Sequence, residues 1–228
     1  MTRVIKYFPE NTNISKARLI AGSIALVLII EYVVAETVAA LAWKNPLYSY
    51  AYNYISDLGV SGPRGLFQGR LLYSPLHSVM NAGFFIEGLL FLMAACLLLP
   101  LLRGKGWRFV VFVLVLLHTV GISMVAMIHA SSETQDHGIL IYHTIGAFLA
   151  IMFGNIACMC AGIASSKTGA PAWFKGYSIL LCTIGVGGLV TLIAVPTLPP
   201  GIPERISVYT ITLWQVSTGV LLLMTMVK

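Results

Sequence analysis

VMNAGFFIEGLLFLMAACLLLPLL, residues Val79–Leu102, carries one acidic side chain, Glu87, and no basic one, in a run that is otherwise mostly apolar or small. An α-helix rises 1.5 Å per residue, so about 20 such residues cross a hydrocarbon core roughly 30 Å thick. Five further stretches read the same way: Leu19–Ala42, Phe109–Ile128, Ile139–Ile163, Tyr177–Val195 and Ile206–Val227. With 58% hydrophobic residues, 10% charged residues and a mean hydropathy of +0.88, no soluble core could hide this much apolar surface. The chain therefore reads as an all-α, polytopic integral membrane protein: a six-transmembrane-helix bundle, one membrane domain over residues 1–228, with a long loop at 43–78. A cleaved signal peptide is not expected, because the first apolar run is long, follows mostly polar residues and contains Glu31 and Glu36.

Lys and Arg are retained in cytoplasmic loops. Of the 14 basic residues, Arg3, Lys6, Lys16, Arg18, Arg103, Lys105, Arg108, Lys167, Lys175 and Lys228 fall on one side of the six spans. Lys44, Arg64, Arg70 and Arg205 fall on the other. This asymmetry predicts cytoplasmic termini and extracytoplasmic loops at Trp43–His77, His129–Gly138 and Pro196–Arg205. It also accounts for the net charge of +6 without a nucleic-acid partner. The partners implied are membrane lipids, and in a prokaryote the expected location is the cytoplasmic membrane. Cys96, Cys158, Cys160 and Cys182 all fall inside spans, which predicts buried thiols and no disulfide framework.

Apart from Glu10, the acids sit in the outer loops or in the middle and outer parts of the spans: Glu31, Glu36, Asp57, Glu87, Glu133, Asp136 and Glu204. A carboxylate at the bilayer centre costs a few kcal/mol, so such groups face the bundle interior, protonate or pair. Glu31 and Glu36 lie about 140° apart on a helical wheel and cannot share one narrow face. On the same half, His77 and Asn81 share one side of the second span, with Glu87 deeper. His143 heads a stripe of small residues, Ala147, Ala150, Gly154, Ala157 and Ala161, that predicts close helix packing and a protein-facing imidazole. In the long loop, Ser56–Pro63 offers turn and capping residues around Asp57. The Pro-rich segment Val195–Pro203 delivers Glu204 and Arg205 to the last span, where Glu204 can complement the helix N-terminus or Arg205 can pair with Asp57 or a lipid phosphate.

His129, His137, His143 and Asp57, with Glu133 or Asp136, are the residues from which an outer zinc site could be built, so zinc stays open as a cofactor. No two-His helical platform is present. Haem is disfavoured because His118 lies near mid-membrane while His129 and His143 lie near the outer edge. A buried imidazole bonded to a neighbouring helix is the simpler reading of His118.

Tyr54-Ile-Ser-Asp-Leu-Gly59 followed by Pro63 and Phe67, His143-x-x-Gly-Ala147-Phe, and Gly201-x-x-Glu-Arg205 occur in this order. Together they resemble the prokaryotic membrane family known as domain-of-unknown-function family 998. The first two are also similar to Frag1 and the damage-regulated autophagy modulators. The resemblance implies a six-helix bundle and, through Frag1 relatives linked to lipid-anchor remodelling, a leaning toward lipid handling. The segment Ile128–Asp136, a polar loop and not a Phe-Pro turn, departs from the pattern.

The leading expectation is an outer polar pocket for a lipid or other amphiphile. Its substrate-binding residues would be Ser56, His77, Asn81, Glu87, Glu204 and Arg205. For a hydrolase or transferase acting on lipid, His143 would be general base, with Asp57 orienting it or holding a metal. The competing expectations are a proton-coupled transporter using Glu31, Glu36 and Glu87, and a non-catalytic membrane scaffold.

Overall fold

A computed structural model describes residues 14–165 and 170–226. Arg3, Lys6, Glu10, Lys167, Lys228 and Val227 lie outside the described residues. Six helical segments are long and apolar enough to cross a membrane: Lys16–Ala42, His77–Leu101, Lys105–Met127, Leu140–Ser165, Ala172–Ala194 and Gly201–Met226. The protein is an all-α, multi-pass membrane bundle. The first segment tightens locally at Ile29–Ile30, with α1 spanning Lys16–Leu28 and α2 Glu31–Ala42. The remaining helices are α3 (His77–Leu98, extended by a 3-10 turn at Leu99–Leu101), α4 (Lys105–Met127), the short α5 (Ser132–Asp136), α6 (Leu140–Ser165), α7 (Ala172–Ala194) and α8 (Gly201–Met226).

Two helices start a full five residues earlier than hydropathy suggests. α7 begins at Ala172 and not Tyr177, and α8 at Gly201 and not Ile206. Proline explains both: Pro171 precedes the first turn and Pro203 lies within it, where a helix has no N–H to lose. Glu204 and Arg205 are thereby helical, with side chains aimed from a rigid element.

The helices pack as a closed ring in the order α1, α3, α4, α6, α7, α8 and back to α1, with α8 also touching α6. The tightest crossing is α4 against α6. A Cβ on Gly121 would strike the Gly146 carbonyl and the Ala150 amide, both backbone, so only glycine permits this approach. Leu28, Val34, Leu41, Phe109 and Met127 point outward and face lipid. The interior divides into one cluster around Leu26, Phe91, Val115, Trp214 and Leu222, and another around Trp43, Ile55, Leu58, Met80 and Phe84. The second cluster lies toward the long loop, on what we term the loop face.

That loop is ordered by its own small elements. Ser56–Gly59 forms a 3-10 turn, and β1 (Gly65–Phe67) pairs antiparallel with β2 (Arg70–Leu72), with Phe67 opposite Arg70. Gln68 and Gly69 both have positive φ, the signature of a two-residue hairpin turn matched to strand twist. The hairpin swings Arg70 back over the turn that carries Asp57.

Candidate functional site

The loop face is organised by two buried ion pairs. Asp57 has no exposed surface. Its carboxylate accepts hydrogen bonds from the Tyr54 amide (3.0 Å) and Asn53 Nδ2 (3.3 Å), closing the turn that contains it. The Arg70 fork completes the shell, with Nε 3.0 Å from Oδ2 and Nη2 3.3 Å from Oδ1. The same guanidinium lies 4.5 Å from the centre of the Tyr54 ring, and burial pushes the Tyr54 phenol pKa up against the lowering pull of Arg70. Asp57 is thus a charge-compensated hub that holds the hairpin to the turn.

Arg205 is equally committed. Nε and Nη2 donate to Glu36 Oε1 at 3.1 and 2.9 Å, and Nη2 also donates to Tyr48 Oη. Nη1 donates to the carbonyls of Tyr50 (2.6 Å), Asn53 (3.0 Å) and Gly201 (3.1 Å). Tyr209 donates its hydroxyl to Glu36 Oε2 at 2.7 Å. This clamp joins α2, α8 and the loop. It depends on Gly201, since a Cβ there would meet the Tyr50 and Asn53 carbonyls and Arg205 Nη1. The expected pairing of Arg205 with Asp57 is replaced by Arg205 with Glu36 and Asp57 with Arg70. With its donors consumed, Arg205 has none to offer a lipid phosphate.

Between the loop, α6, α7 and α8 lies a cavity of about 290 Å³. Ser56, Asp57, Arg70, His143 and Glu204 supply its polar wall. His143 Nδ1 lies 2.6 Å from the Ile128 carbonyl and so carries the proton it donates there. In the neutral ring this leaves the Nε2 lone pair without a partner among the described residues. Ile128, and not Asp57, therefore orients His143. Glu204 Oε2 accepts the Ile55 amide at 2.5 Å, which fixes α8 to the loop. No protein donor among the described residues engages its second oxygen. Helix-dipole complementation alone does not describe Glu204, because the amide it binds belongs to the loop. The opposite wall of the cavity is apolar, and two of its members, Phe148 and Ile193, are 43% and 68% exposed on the outside of the bundle. The cavity is therefore walled on one side by α6 and α7 side chains that also face lipid. Tyr54, Gln68 and Arg70 also line a neighbouring recess of about 450 Å³.

The other residues expected in this pocket lie elsewhere. Asn81 Nδ2 donates to the Gly59 carbonyl (2.8 Å) and to His129 Nε2 (3.0 Å), while His129 Nδ1 lies 2.9 Å from Ser61 Oγ. Since Nε2 accepts, Nδ1 carries the proton and donates to Ser61. This Ser-His-Asn array is in the wrong tautomer to activate the serine. Burial, with His77 nearby, lowers the His129 pKa below its usual value. His77 itself bonds the Ser74 carbonyl at 3.1 Å. Glu87 is turned inward at mid-bundle, against His118 and Gln215. This is a pairing that reading each residue singly misses. His137 caps α5 in an exposed position, and among the described residues no group of three or more His, Cys, Asp or Glu is placed to hold a metal ion. The zinc candidates do not converge because Asp57, His129 and His143 are each tied to different partners.

The family described as Protein of unknown function (DUF998) matches residues 20–221. No curated protein and no solved structure matches. With that match reaching into all six spans and taking in the loop and both ion pairs, the chain belongs to the DUF998 family of membrane proteins.

Proposed function

We propose that this protein binds the polar head group of a membrane amphiphile in the loop-face cavity, admitting it laterally between α6 and α7. The observation that carries this reading is the two-sided wall: Arg70, His143 and Glu204 on one side, and lipid-facing Phe148 and Ile193 on the other. A volume of about 290 Å³ lies at the lower end of the roughly 300–1,000 Å³ of small-molecule sites, which suits a head group whose tail stays in the bilayer. His143 Nε2 and the free oxygen of Glu204 are the polar contacts, and Arg70 lines the side shared with the neighbouring recess. The distribution of Lys and Arg supports an extracytoplasmic position for this face. In a hydrolytic or transfer step, His143 Nε2 would take the proton from an attacking water or hydroxyl.

The test is mass spectrometry of lipid retained through purification in mild detergent, for wild type, His143→Ala and Glu204→Gln. Glutamine at 204 keeps an oxygen for the Ile55 amide, so the fold is preserved. Asp57 is unsuitable for this purpose because its loss breaks the hub. A bound amphiphile in wild type that is depleted in both monodisperse variants supports the reading. An empty wild type, or unchanged occupancy in the variants, refutes it. Turnover of the retained lipid by wild type and not by His143→Ala would extend binding to catalysis.

A further inference from the structure

A second polar site lies at mid-bundle, away from the head-group cavity. His118 Nδ1 is 2.7 Å from the Ala150 carbonyl and donates to it, while Nε2 is 2.9 Å from Glu87 Oε2. One proton must therefore lie between imidazole and carboxyl, whichever group keeps it. Glu87 Oε1 accepts from Gln215 Nε2 at 2.7 Å. All three side chains are buried, Gln215 completely.

The array is incomplete. Gln215 Oε1 is buried with no hydrogen-bond partner among the described residues, and so is Oε1 of Glu31. Glu31 opens α2 and lies against Gly83, one turn of α3 from Glu87. α3 contributes Glu87, α4 contributes His118, facing Glu87, and α8 contributes Gln215. Farther along α2, Glu36 is neutralised by Arg205 and Tyr209 from α8. No Lys or Arg among the described residues is bonded to Glu31. Two carboxyls and one imidazole in apolar surroundings reach neutrality only with one proton on the Glu87–His118 contact and another on Glu31.

The helical hydrogen bonding tightens at the same place. The Tyr32 amide bonds the Ile29 carbonyl at 3.0 Å and leaves the α-helical pattern, so Ile29–Ile30 form a turn directly before Glu31. Ile29 and Ile30 both keep right-handed helical dihedrals, so Lys16–Ala42 runs on as one span with a local tightening beside Glu31.

We propose that Glu31, with the Glu87–His118–Gln215 array, forms a proton-exchange site in the membrane interior, giving this protein a proton-coupled activity distinct from head-group binding. On release, the Glu31 O–H bond breaks, the electron pair stays on the carboxylate and the proton passes to water. Reloading reverses the step.

The experiment is infrared difference spectroscopy of the purified protein in lipid nanodiscs between about pH 5 and about pH 9, with carbodiimide labelling alongside. Wild type shows a protonated-carboxyl C=O band that disappears as pH rises. Glu31→Gln loses the band, and Glu87→Gln keeps it at a shifted frequency. Dicyclohexylcarbodiimide, which attacks protonated carboxyls in apolar surroundings, labels the Glu31 peptide, and less so at high pH. A wild type without a pH-dependent carboxyl band, or an unchanged band in Glu31→Gln, overturns the proposal. Should Glu31→Gln fail to fold, labelling of wild type decides: an adduct on Glu31 upholds the site, and adducts confined to other carboxyls remove it.

Discussion

Replacing Arg205 with Met tests whether the clamp between α2, α8 and the loop holds the loop face together. Methionine fills much of the arginine stem's volume, so the change isolates the guanidinium. Its removal leaves Glu36, 1% exposed, with only the Tyr209 hydroxyl, and leaves the Tyr50 and Asn53 carbonyls without their donor. Stranding one member of a buried pair costs about 3–5 kcal/mol. For a chain of this size 1 kcal/mol moves Tm by roughly 2–4 °C, so the expected loss is roughly 6–20 °C by scanning fluorimetry in detergent. Glu36→Gln on top of Arg205→Met removes the stranded charge and keeps an oxygen for Tyr209. The double variant should therefore regain a large share of the loss, giving a coupling of roughly 2–3 kcal/mol in the cycle. A loss under about 1 kcal/mol in Arg205→Met, or additive single effects, would show that Glu36 is compensated by something other than Arg205 and would refute the clamp.

Three further outcomes follow from contacts described above. The folded pKa of His129 is lowered from 6.5, so neutral His129 contributes fully above about pH 6.5. As pH falls toward the lowered value, the unfolded chain takes up the proton first and stability drops; Tm measured against pH should show this slope in wild type and lose it in His129→Gln. Gly121→Leu places side-chain atoms against the backbone of Gly146 and Ala150; it should exceed the ~1–3 kcal/mol of ordinary overpacking and abolish a monodisperse peak in size-exclusion chromatography. Ser131→Ala removes the capping box of α5 at a cost of about 1 kcal/mol; hydrogen exchange should quicken at Thr134 and Gln135 while Tm stays nearly fixed.

Much of the architecture is legible because lipid imposes a simple rule on length and polarity. Val79–Leu102 could be little other than a span, and the stripe from Ala147 to Ala161 announces a close crossing. The α8 start is hidden because Pro203 looks like a breaker, although proline in a first turn costs nothing. The hairpin leaves a faint signal in Gln68-Gly69 between Leu66-Phe67 and Arg70-Leu71-Leu72. Partner choice is another matter. Arg205 finds Glu36 across 169 positions of chain, and nothing local distinguishes that partner from Asp57. Glu87 and His118 were the readable pair: they lie nearly equidistant from the turn at Arg103 on two adjacent antiparallel helices, hence at one depth. Weighing each against its own helix alone conceals this.

The three carboxyls in the first two spans show how an ionisable group inside the bundle acquires a role. Glu36 has a guanidinium and a phenol, and the group serves as structure. Glu87 has an imidazole and an amide, a pairing that can hold its proton on either side of one contact. Glu31 has no donor for Oε1 among the described residues and follows the local tightening of its helix at Ile29–Ile30. A bundle selected for stability alone would place Leu or Gln at that position, because removing an unpartnered carboxyl from apolar surroundings is stabilising. Glu31→Leu should accordingly raise Tm while abolishing the pH-dependent carboxyl band. A variant that lost stability instead would show that Glu31 also holds the helices together.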